Sequence, residues 1–342
     1  MLLKGSKYYD ETGDKMELQQ RASHDIQPLI EQRADPFMYR HSDGYYYFVA
    51  SVPEYDRIEI RRAQNLEGLV TSTPVVIWRK RETGILSANI WAPELHFIDD
   101  KWYVYFAAAH TTDTNEGLFD HRMYVLENES ANPLEGSWTE RGQVRTAWES
   151  FSLDATTFEH NGSRYYVWAQ KDPNIEGNSN LYISKMSNPW TLTGPQTMIS
   201  MPEYDWEIIG YKVNEGAAFL RKGNRVFLSY SASATDFNYC MGLLEADADA
   251  DLLDATSWRK SQAAVFSTDE SISMYGPGHN SFTVSETDEK TLFVFHARTY
   301  KNIIGDPLYD PNRHTFVTEL LWTADGRPDF RGSVAALARS VQ

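Results

Sequence analysis

One pattern recurs along this chain of 342 residues: a charged or polar residue, a short alternating strand, a tight turn, and a second strand rich in aromatic and β-branched residues. It begins with "ADPFMYRHSDGYYYFVAS" from Ala34 and returns as "APELHFIDDKWYVYFAAA" from Ala92. It comes again as "SLDATTFEHNGSRYYVWAQ" from Ser152, "VNEGAAFLRKGNRVFLSYSAS" from Val213 and "GHNSFTVSETDEKTLFVFHAR" from Gly278. Period-two alternation around turns built on Asp, Asn, Gly or Lys-Gly is the mark of a β-hairpin. With Tyr46, Tyr103, Tyr165, Val226 and Phe293 as equivalent points, the steps are 57, 62, 61 and 67 residues. A unit of that length holds four strands and their loops, which is one propeller blade. Downstream echoes ("NLEGL", "NPLEGSW", "SNPWTL", "LLDATSW") fit outer strands. The expected fold is all-β, a five-bladed β-propeller with four antiparallel strands per blade over residues 33–342, after an N-terminal lead-in of residues 1–32. The helical signal "MELQQRASHDI" falls in that lead-in. An irregular β-sandwich is the alternative, and it does not predict the even step.

In a propeller the first strand of every blade lines the central channel, so residues distant in sequence converge at its mouth. Asp35, Asp154 and Glu215 each stand 11 residues ahead of the reference point of blades one, three and four, and His279 takes that place in blade five. Three carboxyls at one mouth repel one another unless they are used. Glycoside hydrolysis needs one protonated and one ionised carboxyl. A hard-cation site built from the acids and His279 is a second chemistry, and strand-end acids satisfied by backbone N–H groups are the bland one. Pro36 is expected to hold Asp35 extended, which suits a base that orients water. Gly216, Ala217 and Ala218 leave room for a substrate beside Glu215 and keep water away from it. Desolvation raises a carboxyl pKa, as a general acid requires. Asp154 is then the third charge, keeping Glu215 protonated and in place. Glu94 does not match the 11-residue offset and reads as structural.

Composition narrows the partners. With 32 basic and 48 acidic residues the formal charge is −16, the wrong sign for a nucleic acid or an anionic membrane. Aromatic residues are 13% of the chain, which suits β-structure and surfaces that stack on sugars. Cys240 is the single cysteine, so neither an intrachain disulfide nor a thiolate cluster is available. No stretch approaches the ~20 apolar residues of a membrane span. The opening "MLLKGSKYYDETGDK" lacks an apolar leader core, which predicts a cytoplasmic protein. Oligomeric state is not set by any of this.

At the acids the chain resembles a known family. "RADPFMYRHSDGYYYFVASVPEYDRIEIRRA", "IWAPELHFIDDKWYVYFAA", "SLDATTF", "YDWE" with "KVNEGAAFL", and "GPGHNSF" look like glycoside hydrolase family 43, in order from Arg33 onward. The resemblance implies an inverting enzyme with Asp35 as base, Asp154 as pKa modulator and Glu215 as acid. It requires no cofactor for the chemistry. It also implies that His279 points into the channel, towards a calcium or sodium ion held largely through water. "SVPEYDRIEIRRA" and "PEYDWEIIGYKVNEG" look most like the exo-acting α-L-arabinofuranosidases, whose substrate would be an arabino-oligosaccharide or a related pentose-containing glycan, met in a cytoplasm as short imported oligosaccharides. That likeness sets Trp206 in a loop over the pocket. Trp91 is a candidate stacking platform, Arg298 a candidate donor to sugar hydroxyls or a counter-ion to the acids, and His314 a weaker channel candidate. A β-D-xylosidase and a non-catalytic carbohydrate-binding propeller remain as alternatives. An interaction propeller lacks support because no Trp-Asp or Gly-His signature repeats. The retaining fructan hydrolases lack support because their Asn-Asp-Pro-Asn-Gly string is absent.

Overall fold

The computed structural model describes residues 25–340. Blade one is β1 (Ala34–Arg40), β2 (Tyr46–Ser51), β3 (Arg57–Ala63) and β4 (Val75–Arg79), and blade two is β5 (Ala88–Ile98), β6 (Lys101–Ala109), β7 (Arg122–Asn128) and β8 (Thr139–Gln143). Blade three is β9 (Ser152–His160), β10 (Ser163–Gln170), β11 (Asn180–Asn188) and β12 (Thr191–Ser200). Blade four is β13 (Asn214–Lys222), β14 (Arg225–Ala232), β15 (Cys240–Asp247) and the short β16 (Arg259–Lys260). Blade five is β17 (Tyr275–Val284), β18 (Thr291–Arg298) and β19 (His314–Glu319). Within every sheet the strands lie in sequence order and antiparallel, and the first strands β1, β5, β9, β13 and β17 touch one another in a closed ring.

The aromatic strands explain why the ring holds. In β2, Tyr46, Phe48 and Ala50 pack towards Val294 of blade five, while Tyr47 and Val49 pack towards Leu95 and Val104 of blade two. Period two thus sends alternate side chains into two different seams, and each seam between blades has its own buried cluster. A strand buried on both faces needs apolar residues on both, which is what "YYFVA" and "YYVWA" within these strands provide.

Blade five differs from the other four. Its sheet has three strands, and the segment ahead of blade one closes it: Leu29 donates to Thr315 O at 2.8 Å, and Thr315 donates back to Ile30 O at 2.8 Å. The first and last parts of the described chain are therefore joined at the ring's seam. A two-stranded hairpin (β20, Leu321–Trp322, with β21, Pro328–Asp329) leads to helix α1 (Phe330–Ser340), which buries Phe330, Val334 and Ala338 against the seam of blades four and five. The expected helix over "MELQQRASHDI" lies almost wholly outside the described residues, and residues 25–28 form neither helix nor strand. No helix among the described residues is long and apolar enough to cross a membrane.

Candidate active site

Each innermost strand breaks its pairing at the same point. The register slips by one residue between Ala34 and Phe37, Trp91 and Glu94, Leu153 and Asp154's far neighbour Thr156, Glu215 and Ala218, and Gly278 and Ser281. These are β-bulges, the device that re-aims side chains at the rim of a sheet. The first extra residue has a left-handed φ in all five: Asp35 at 53°, Ala92 at 45°, Asp154 at 54°, Gly216 at 58° and His279 at 41°. Four of the five are not glycine, and each such residue costs about 1–2 kcal/mol of backbone strain. Asp35 is thus left-handed, not extended as Pro36 led us to expect.

Bulge position also corrects the alignment of the acids. Asp35 and Asp154 are bulge residues, but in blade four that place belongs to Gly216, and Glu215 stands one residue earlier, opposite Ser231. The equal 11-residue offsets arose because Val226 is one residue short of the true equivalent of Tyr165. That equivalent is Phe227, which lies opposite Leu220 as Tyr165 lies opposite Phe158. Gly216 itself is required for space: a Cβ there would lie 3.0 Å from the His279 ring.

The bulges are fastened between blades. Ala92 N–H donates to Ser51 Oγ at 2.8 Å, His279 N–H to Ser231 Oγ at 2.8 Å, and Asp35 N–H to His296 Nδ1 at 3.0 Å. Ser51, Ser231 and His296 occupy the same position in the second strands of blades one, four and five, each opposite the residue that precedes the bulge.

The three acids and His279 meet at a cavity of about 350 Å³, within the range of small-molecule sites. Asp35 is 8% exposed. Its Oδ2 accepts from Ser51 Oγ at 2.6 Å, and its Oδ1 lies 3.3 Å from Arg313 Nη1, 3.3 Å from His279 Nδ1 and 3.4 Å from His296 Nδ1. Burial alone would raise the Asp35 pKa, but Arg313 first and then His279 hold it well below the ordinary carboxylate value. Asp154 is equally buried, yet its nearest cationic candidate is His279 Nδ1 at 3.7 Å. Burial first, then the charges of Glu215, Asp35 and Glu94, push it well above the ordinary value. Burial and Asp35 likewise push Glu215 up to about 7, against a hydrogen bond from Tyr239 and the charge of Arg313. Asp154 and Glu215 are best described as a pair that holds a proton where Asp35 does not.

The remaining candidates divide. Trp91 lines the cavity and stacks on His121 with ring centroids 4.0 Å apart. Trp206 does not line it: its Nε1 donates to Gln262 O at 3.0 Å, and Tyr211 of the same loop faces the cavity instead. Arg298 is 1% exposed and spends its donors on Asp310 Oδ1, Thr235 O and Pro307 O, at 3.1, 2.6 and 2.7 Å. It therefore braces two cavity loops and does not reach a sugar. His314 Nδ1 accepts from Gln32 N–H at 2.9 Å, away from the cavity. Glu94 also stays out of the lining, paired with His96 at 2.8 Å. Among the described residues no group of three or more His, Cys, Asp or Glu side chains is arranged to hold a metal directly. Among the cavity residues that the sequence did not reveal, Arg313 and Tyr239 are the two that bond to the acids, Arg313 to Asp35 and Tyr239 to Glu215. Arg313 directly precedes the named His314 in "NRHTF", and strand alternation sends one of two such neighbours inward.

Comparison with known proteins fits this geometry. The family model described as "Glycosyl hydrolases family 43" matches residues 26–328. The chain is 58% identical over 308 residues to a Streptomyces avermitilis protein named "Extracellular exo-alpha-(1->5)-L-arabinofuranosidase", covering 90% of this chain and 63% of that one. A protein of the same name from Streptomyces chartreusis is 56% identical over 280 residues, covering 82% of this chain and 84% of that one. The crystal structure of an α-L-arabinofuranosidase from Lactobacillus brevis superposes with a TM-score of 0.88 at 55% identity, covering 90% and 97% of the two chains. This chain thus spans under two thirds of the Streptomyces avermitilis protein. Two of these relatives are named as extracellular, which overturns the cytoplasmic expectation and the restriction to imported oligosaccharides drawn from it. A cleavable leader leaves no mark on a folded domain, so the first residues cannot decide the compartment.

Proposed function

The chain belongs to glycosyl hydrolase family 43, and from that premise we propose that it is an exo-acting α-L-arabinofuranosidase. It releases terminal α-1,5-linked arabinofuranosyl residues from arabino-oligosaccharides or related pentose-containing glycans, with inversion at the anomeric carbon. The observation that carries the reading is three carboxyls around one cavity with unlike partners: Asp35 lies 3.3 Å from the Arg313 guanidinium, whereas Asp154 and Glu215 have no such partner and burial raises their pKa values.

Asp35 accepts a proton from a water molecule, and the oxygen of that water bonds to the anomeric carbon as the bond to the leaving sugar breaks. Glu215 gives its proton to the departing glycosidic oxygen, so no alkoxide is released. Asp154, buried beside Glu215 and coupled to it, disfavours a second negative charge there and so helps the pair keep its proton. Arg313 keeps Asp35 ionised, and its position beside the cavity also suits a hydroxyl of the bound sugar. Trp91 offers a face against which a sugar ring stacks. A cation near His279 would be held through water, and no step above runs through it.

The names of the relatives support arabinose as the sugar. Incubation with nitrophenyl α-L-arabinofuranoside, nitrophenyl β-D-xyloside and linear arabino-oligosaccharides tests this. We expect release of single arabinose units from the chain end. Preferential xylose release would replace the sugar assignment, and no release from any substrate would put the binding module in front.

A further inference from the structure

We propose that Tyr239 is a positioning residue for proton delivery, its hydroxyl fixing which oxygen of Glu215 carries the proton that the leaving group receives. The inference rests on Glu215 as the acid.

Tyr239 lies just ahead of β15 and is 1% exposed. Its hydroxyl donates to Glu215 Oε1 at 2.9 Å, and the carboxyl has no other hydrogen-bond partner among the described residues. A protonated carboxyl has one O–H and one acceptor oxygen. A donor held on Oε1 makes that oxygen the acceptor and leaves the proton to Oε2. Burial first, then the charges of Glu215, Asp154 and Asp35, push the tyrosine hydroxyl well above its ordinary value, so it remains a donor throughout the working range. Once Oε2 has given up its proton, the same hydrogen bond stabilises the carboxylate left behind.

The ring is packed on two sides. It stacks on His296 with centroids 5.5 Å apart and planes 12° apart, and His296 is itself held by Asp35 N–H at 3.0 Å. A Cβ at Gly278 would lie 2.6 Å from Tyr239 Cε1, so the ring occupies the space that glycine leaves. Gly276 is needed for the neighbouring chain, since a Cβ there would meet Asp236 O at 2.1 Å, and Asp236 O accepts from Tyr239 N–H. The "GPG" of "GPGHNSF" thereby acquires a physical role: both glycines seat Tyr239. Through the Tyr239–His296 stack, the side chain against the acid and the side chain against the base bear on each other.

The test is Tyr239→Phe in the whole protein, assayed across pH on arabinotriose and on nitrophenyl α-L-arabinofuranoside. The groups facing Glu215 in this experiment are Asp35, Asp154, His279, Arg313 and Tyr239. Removing the donor raises the Glu215 pKa, so the acid stays protonated to higher pH. The alkaline limb should move up by roughly one pH unit, the size of a hydrogen bond to a charged group. On arabinotriose kcat should fall on the order of 10-fold with KM nearly unchanged, a fraction of what a general acid contributes. On the nitrophenyl substrate, whose leaving group needs little protonation, kcat should fall far less. An unmoved alkaline limb, or equal losses on both substrates, overturns the proposal. Should the variant fail to fold, 3-fluorotyrosine placed at position 239 keeps ring and hydroxyl and strengthens the donor. It must then move the limb down, and an unmoved limb again overturns the proposal. A wild-type protein inactive on both substrates would sink the arabinofuranosidase reading on which the proposal rests, a different outcome from either.

Discussion

Asp35 and Asp154 sit on two walls of one cavity, each on the left-handed residue of a β-bulge and each shielded from solvent to the same degree. Their neighbours could hardly differ more. Asp35 has Ser51, Arg313, His279 and His296 within hydrogen-bonding or ion-pairing reach, whereas Asp154 has one histidine nitrogen at 3.7 Å and the Glu215 carboxyl beside it. Burying a carboxylate without a partner costs several kcal/mol. One wall meets that cost with a buried guanidinium; the other avoids it by keeping a proton. The repeated backbone device only brings the carboxyls to the rim, and the side chains from adjacent blades decide which becomes the base.

Removing the carboxylate of the wall that carries Arg313 breaks this comparison most severely. Asp35→Asn should lower kcat/KM by roughly 10²–10⁴-fold on arabinotriose and on the nitrophenyl arabinoside alike, because water must be activated whatever leaves. Steady-state assays would check it, and retention of most activity would show that the split does not matter. Arg313→Met asks a finer question. Without the guanidinium the Asp35 pKa rises, and because the base must be ionised, activity is lost first on the acidic side. The acidic limb of the pH–kcat/KM profile should move up by roughly 1–2 units, with a smaller loss at neutral pH than Asp35→Asn gives. An acidic limb that stays in place would mean that Arg313 does not set the ionisation of Asp35.

The sequence carried the repeat clearly because a hairpin is local: alternation, turn and aromatic strand all fall within about twenty residues. Asp35, Asp154 and Glu215 were legible for the same reason, being tied to the first strand of a hairpin. The one-residue shift of Glu215 relative to the bulge was not, since a bulge changes register without changing the pattern on either side. Residues outside the hairpins were harder still. Arg298 ends an aromatic strand and looked suited to a sugar, but the carbonyls of Thr235 and Pro307 come from distant loops and claim its donors. Trp206 was placed in the right loop and the wrong direction, because an irregular segment has no period that says where a side chain points. Tyr239 and Arg313 reach the cavity from such segments, one ahead of β15 and one ahead of β19. Their partners lie far away along the chain, so only the closed ring makes them neighbours of the acids.

The proton-holding wall can be tested through Glu215→Ala, comparing arabinobiose with nitrophenyl α-L-arabinofuranoside under the same conditions. Arabinose is a poor leaving group and needs a proton, whereas nitrophenolate leaves nearly unaided. The account predicts that turnover of arabinobiose falls at least about a hundredfold more than turnover of the nitrophenyl glycoside. Equal losses on the two substrates would contradict it, because Glu215 would then not be the group that delivers the proton.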